Sequence, residues 1–276
     1  MSKIKLNIQD SVADTLLITL YTKSIESKKK DPLIVDETAC ELVEKIDYDF
    51  SKYKDSPAST TGVAIRSTHF DNVVKKFIEQ HPLPIVVLVG CGLDSRVQRI
   101  GSIAQKALFY ELDLEEVINI RKALIPPGKN ERYIAASMLT TDWMDDLKSQ
   151  HPCGDFLFVI EGVLMYFNEP DNQFVFRELA KRFPGAQIHF DMLNKWMSTK
   201  SSMHETVKKT NATFKFGIDD EKEIEKWQPS LRHVRTYLFH EFRGWTRMGL
   251  LLSILMSVVP TFKTSSRILA YKVAKD

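Results

Sequence analysis

Cysteine is scarce in this chain of 276 residues: Cys40, Cys91 and Cys153 stand far apart and are odd in number. They have neither the close spacing of metal ligands nor the even count of a disulfide framework. No metal is expected, and a reducing, cytoplasmic setting is. An excess of one charge is missing too. Thirty-eight basic residues against 36 acidic ones leave +2, too weak a field to recruit nucleic acid or a membrane surface. The triplet Lys28, Lys29 and Lys30 reads as a solvated helix end. Long apolar runs are absent as well. The longest, "MGLLLSILMSVV" at 248–259, is roughly half of what a spanning helix requires. It reads as a buried helix, or as a lid over an apolar substrate. The opening "MSKIKLNIQD" is polar and charged, unlike a secretory signal.

What is present is an ordinary globular composition, 43% apolar and 27% charged. Residues 14–27 place Leu16, Leu17, Leu20, Tyr21 and Ile25 at helical spacing, and the "DP" that follows cannot continue a helix. "DETACELVEKI" and "HFDNVVKKFIEQH" read as two more helices. The pattern then changes. "IVVLVG" is a continuous apolar run, as in a parallel strand covered on both faces. "ALFYELD", "RYIAASML", "DFLFVIEG" and "AQIHFDML" follow as strands with helical stretches between them. That alternation implies βαβ units and a doubly wound, mostly parallel α/β sheet. A weakly patterned polar segment follows from about residue 194. "VRTYLFHEF" and "SRILAYKVA" then close the chain as strands, a layout shared with class I methyltransferase (Rossmann-like) sheets.

In open α/β sheets ligands bind beyond the carboxyl ends of the strands, where the chemistry-bearing residues fall. Gly90 and Gly92 end the first strand, and without a Cβ the backbone there can approach a ligand. Asp113 ends the second strand, about where nucleotide-binding units place a ribose-binding carboxylate. Glu161 ends the fourth. Each is weak alone: an acid at a strand end also caps the following helix. The conjunction is stronger. The third glycine of a dinucleotide motif is replaced by Ser95, and a second acid would repel a pyrophosphate. An adenosyl ligand bearing a sulfonium and an ammonium would instead favour Glu161, and its carboxylate calls for a guanidinium. Arg66, read as lying just before a helix, is the candidate. Its bland alternative is a surface pair with Asp71.

The blocks "DPLIVDETA", "GVAIRSTHFD", "VVLVGCGLDSR", "FYELDLEEV", "TDWMDDL" and "IEGVLMYF" occur in that order between residues 31 and 167. Through them the chain resembles the leucine carboxyl methyltransferase family, most nearly its bacterial branch of tetracenomycin-type polyketide O-methyltransferases. "GCGLDSR" paired with "EGVLMYF" is the specific part; the C-terminal half matches only in layout.

The resemblance implies one S-adenosylmethionine-dependent O-methyltransferase domain over 1–276. Its N-terminal helices would span 1–82 and its sheet core 83–193 and 231–276, with a C-terminal substrate cover over about 194–230 and 246–260. It places Arg66 on the methionine carboxylate, Gly90, Cys91 and Gly92 at the cofactor turn, Asp113 at the ribose and Glu161 near the methionine moiety. Lys23 takes a second basic position. Met138 and Leu139 fall where the family often has an Asp-Leu pair near the adenine, so the acid is missing. Either a backbone carbonyl replaces it, Asp142 bends in, or adenine is held less tightly, at about 0.5–1.5 kcal/mol for one lost hydrogen bond.

The expected reaction is methylation of a carboxylate or phenol of a small, polyketide-like acceptor. A carboxylate is already ionised at neutral pH and needs no base, so no catalytic residue is assigned. A phenol would profit from one, with His69, His189 and His204 as the histidines to consider. Tyr166 and Phe167 are candidates to line the pocket. The competing readings are a non-catalytic cofactor-binding or scaffolding protein on the same fold, and a nucleotide-dependent oxidoreductase, against which Ser95 argues.

Overall fold

The computed structural model describes residues 3–6 and 8–275. Three helices come first: α1 (Leu16–Ser27), α2 (Glu37–Lys45) and α3 (Pro57–Gln80). α1 buries Leu16, Leu17 and Leu20 on one face. α2 is started by Asp36, whose carboxylate accepts the backbone N–H of Ala39, satisfying a donor the helix itself cannot.

α3 is longer than its periodicity suggests. The expected helix at 69–81 begins twelve residues earlier, at Pro57, so Arg66 lies within it rather than ahead of it. The added turns, "PASTTGVAIRST", are rich in poor helix formers. Ser59, Thr60, Thr61, Val63, Ala64 and Ile65 are all buried there, and packing overrides propensity. Proline at the first turn suits the start, where its missing N–H costs nothing.

The sheet units then alternate: β1 (Pro84–Val89), α4 (Arg96–Ile100), β2 (Leu108–Asp113), α5 (Glu115–Leu124), β3 (Glu131–Ala135), α6 (Asp142–Gln150), β4 (Asp155–Ile160), α7 (Glu169–Arg182) and β5 (Gln187–Leu193). Short helices α8 (Lys195–Ser198) and α9 (Glu223–Trp227) precede β6 (Leu231–Leu238). α10 (Leu250–Val258) and α11 (Pro260–Lys263) lead into β7 (Ser266–Val273). The seven strands lie in the order β3-β2-β1-β4-β5-β7-β6. β1 to β5 are parallel, and β7 runs antiparallel to both β5 and β6.

β1 shows why its apolar run is unbroken. Ile85, Val87 and Val89 join one core with Trp143 and Phe176, while Val86 and Leu88 join another with Phe77 and Phe109 on the opposite face. Both sides of the pleat are covered, so both must be apolar. Strand order reverses between β1 and β4, which opens a crevice at their carboxyl ends.

α10 departs from the first of its two readings, a buried helix. Rather than buried, Leu250, Leu251 and Val258 are 79%, 73% and 70% exposed, and only Ser253 and Met256 are fully covered. The helix packs chiefly against the 3-10 turns before it and α11 after it, so a single face finds neighbours. Among the described residues, no helix is long and apolar enough to cross a membrane.

Candidate active site

A cavity of about 370 Å³ opens at the carboxyl ends of β1, β2 and β4. All nine residues that the family resemblance places around the cofactor line it: Lys23, Arg66, Gly90, Cys91, Gly92, Asp113, Met138, Leu139 and Glu161. Tyr166 and Phe167 line it too.

The floor is the turn after β1. The N–H groups of Gly90 and Cys91 donate to the Leu112 carbonyl at 2.8 and 3.1 Å. Gly92 N–H donates to Asp113 Oδ2 at 2.7 Å, and Leu114 N–H to Oδ1 at 2.8 Å. Burial raises the Asp113 carboxyl, and those two N–H groups oppose the rise. Gly90 has φ +70, and a Cβ there would stand 2.4 Å from Val163 Cγ2. Gly90→Ala is therefore expected to cost about 1–3 kcal/mol in backbone strain alone and to distort the floor. A urea-unfolding midpoint equal to wild type would contradict this.

Beneath the turn lies a buried clamp. Arg121 of α5 ion-pairs with Glu111 of β2 at 2.7 Å, both side chains fully covered. Its Nη1 also donates to the carbonyls of Gly92 and Asp94 at 3.1 and 2.7 Å. Burial pushes the Glu111 carboxyl up to about 7 despite the guanidinium.

On the other side of the turn runs a network of ion pairs. Lys23 reaches Asp94 at 2.5 Å and Asp36 at 3.5 Å. Arg99 joins Asp36, Asp71 and Asp94. Arg96 joins Asp71 and Glu161. Arg66 donates from Nε to Glu161 at 3.1 Å and from Nη1 to Asp191 at 2.8 Å. Burial opposes the Glu161 charge, yet Arg96 and Arg66 hold its carboxyl below the usual range. Burial likewise raises Asp191, against Arg66.

The alternative pairing of Arg66 with Asp71 is not formed. Five residues apart on a helix, the two side chains point about 140° away from each other. Asp71 serves Arg96 and Arg99 instead. Nor does Asp142 bend in beside Met138. It stays exposed in the first turn of α6. Ser137 and Asp171 also line the cavity, and neither carries a signal in the sequence. Asp191 was missed as well, although a lone carboxylate inside the apolar run "IHFDML" was a signal for it.

A second cavity of about 400 Å³ adjoins the first and shares Thr15, Thr19, Arg66, Gly162 and Tyr166 with it. Its other walls are largely apolar, among them Trp196, Met203, Phe214, Met256 and Phe262. His204 lines it, whereas His69 and His189 line neither cavity. Those two are buried elsewhere, His69 beside Tyr237 and Phe242.

A doubly wound sheet with a reversed penultimate strand, a glycine turn answered by an acid on the next strand, and a second chamber beside it define a class I methyltransferase. The sequence profile of the leucine carboxyl methyltransferase family matches residues 17–180. The chain belongs to that family.

Among its relatives is the tetracenomycin polyketide synthesis O-methyltransferase of Streptomyces glaucescens, 31% identical over 221 residues and covered to 80% in both chains. An S-adenosyl-L-methionine-dependent methyltransferase of Gibberella zeae is 24% identical, with 92% of each chain covered. A putative methyltransferase from Thermobifida fusca has the same fold, with a TM-score of 0.57 at 15% identity over 96% of this chain and 94% of its own. A duf574 family protein from Streptomyces avermitilis gives 0.58 at 12% identity, over 94% and 97%.

Proposed function

We propose that this methyltransferase, whose cofactor is S-adenosylmethionine, methylates a carboxylate or phenol oxygen of a small, apolar, polyketide-like acceptor. The observation that carries the proposal is the pair of adjoining cavities with a shared wall at Arg66, Gly162 and Tyr166. The first is bordered by the ion-paired side chains of Lys23, Arg66, Asp94, Arg96 and Glu161; the second has largely apolar walls and is the right size for a compact ring system.

In this reading the first cavity is the cofactor site. The cofactor supplies an electrophilic methyl group on a sulfonium. Arg66 takes its carboxylate in a forked contact, with Lys23 behind, and Glu161 faces its positive groups. Asp113 would accept from the ribose hydroxyls, and the turn at Gly90, Cys91 and Gly92 would let the backbone approach the sugar. Met138 and Leu139 cover the adenine. Asp171 on α7, another acid in the same lining, is the candidate for the acceptor role that Met138 cannot fill.

The donor set fits. Acids would face the ligand's hydroxyls and cations, and bases its one anion. Catalysis then rests on aligning the acceptor oxygen with the methyl group and excluding water, worth up to several kcal/mol. Segments 194–230 and 246–260 act as the substrate cover, bringing Trp196, Met203, Phe214 and Met256 to the acceptor. Loops on such scaffolds carry specificity. The free thiols of Cys40, Cys91 and Cys153 suit the reducing cytoplasm.

Calorimetric titration with S-adenosylmethionine, alongside labelled-methyl transfer to a panel of aromatic carboxylic acids and phenols, tests the proposal. Binding with a Kd of about micromolar order, near −8 kcal/mol, and labelled ester or ether product are expected. An absence of cofactor binding would sink it.

A further inference from the structure

We propose that His204 is an acceptor-binding residue, a neutral hydrogen-bond donor that presents Nε2–H to an acceptor oxygen in the second cavity and does not act as a base. This rests on the reading of that cavity as the acceptor site. The imidazole is held on its other edge. The backbone N–H of Val207 donates to Nδ1 at 3.3 Å, and the Thr206 hydroxyl lies 3.4 Å from the same nitrogen. A backbone amide nitrogen can only donate, so Nδ1 is the accepting nitrogen, and a neutral ring then carries its proton on Nε2. Thr206 is itself anchored, donating to Ser59 Oγ at 3.2 Å. Phe214 meets the ring edge-on, with centroids 5.5 Å apart at 84°, which fixes its plane.

The ring stays uncharged. Burial pushes the imidazole down to about 4, and the positive charges of Arg66 and Lys208 push the same way. The other charged side chains facing the chamber are engaged elsewhere. Arg66 holds Glu161 and Asp191. Asp191 also accepts the Gly162 N–H at 2.6 Å. Glu205 accepts the Ser59 N–H at 3.0 Å.

A proton taken from an acceptor would have to arrive at Nε2, which already bears one. His204 therefore cannot ionise a phenol, whereas it can bind and orient an oxygen that is already anionic. Among the chamber's apolar walls, a single N–H in a set plane chooses which oxygen of a ring system faces the methyl group.

Two readouts test this without relying on turnover. NMR of isotope-labelled histidine in the whole protein is expected to show His204 as the Nε2–H tautomer, with no titration between about pH 5 and 8. The Nδ1–H tautomer, or an ordinary midpoint of about 6.5, would overturn the proposal. The second readout is calorimetry with naphthoate on protein saturated with S-adenosylhomocysteine.

His204→Gln keeps an N–H donor and is expected to bind naphthoate within about threefold of wild type. His204→Phe keeps a ring but no donor and is expected to bind it about tenfold more weakly or worse, as for one hydrogen bond to a charged group. Equal binding by His204→Phe, a matching loss in His204→Gln, or no naphthoate binding by wild type would each overturn the proposal. If the cofactor binds while naphthoate does not, the acceptor assignment falls and the methyltransferase reading stands.

Discussion

Replacing Arg66 with alanine is expected to weaken S-adenosylmethionine binding by about ten- to a hundredfold, the loss of a charge-assisted contact of about 1.5–3 kcal/mol. The same change is expected to destabilise the fold by about 3–5 kcal/mol, because it removes one partner from a buried ion pair. Asp191 carries most of that second effect. Its side chain is 1% exposed and its cationic partner is Arg66, while Glu161 keeps Arg96. Arg66→Lys separates the two effects. It restores a charge to Asp191 but not the planar fork, so stability is expected to recover more than affinity. Calorimetry and urea unfolding read them independently. Unchanged affinity in Arg66→Ala would remove the residue from the carboxylate role, whatever happened to stability.

The second large effect is expected at Arg121, which lines neither cavity. Arg121→Ala leaves Glu111 without its counter-ion in a fully covered site and frees the carbonyls of Gly92 and Asp94. A loss of about 3–5 kcal/mol is expected, together with weaker cofactor binding because the glycine turn is no longer held from below. Glu111→Gln is the informative contrast. It removes the opposite charge, but an amide oxygen still faces Arg121 and the guanidinium still holds both carbonyls, so a smaller loss is expected. Wild-type stability in Arg121→Ala, or a greater loss in Glu111→Gln than in Arg121→Ala, would show that the pair does not hold the turn.

The sheet and the cofactor cavity were legible because their signals are local. The run "IVVLVG" is buried on both faces, and the glycines after it sit at a positive φ. Asp113 and Glu161 follow at strand ends where topology alone gathers them. The rest depended on contacts made across the chain. The start of α3 is written in serines and threonines that become helical only by packing. The partners of Arg66 lie 95 and 125 positions away, beyond any spacing rule. His204 sits in an irregular stretch whose composition gives no periodicity to read. The outward face of α10 was misread for a related reason: an apolar stripe shows which side is greasy, not whether anything covers it.

Arg66 belongs to both cavities, and this has a thermodynamic consequence. A ligand on one side that competes for the guanidinium hydrogen holding Asp191 would slacken that pair, and Asp191 lines the other chamber. Occupancy of the two chambers would then be linked, and linkage is reciprocal. Whatever factor the first ligand imposes on the affinity for the second, the second imposes on the first. A mutation at Asp191 should therefore change the degree of that cooperativity, and with it the order in which the two ligands prefer to enter.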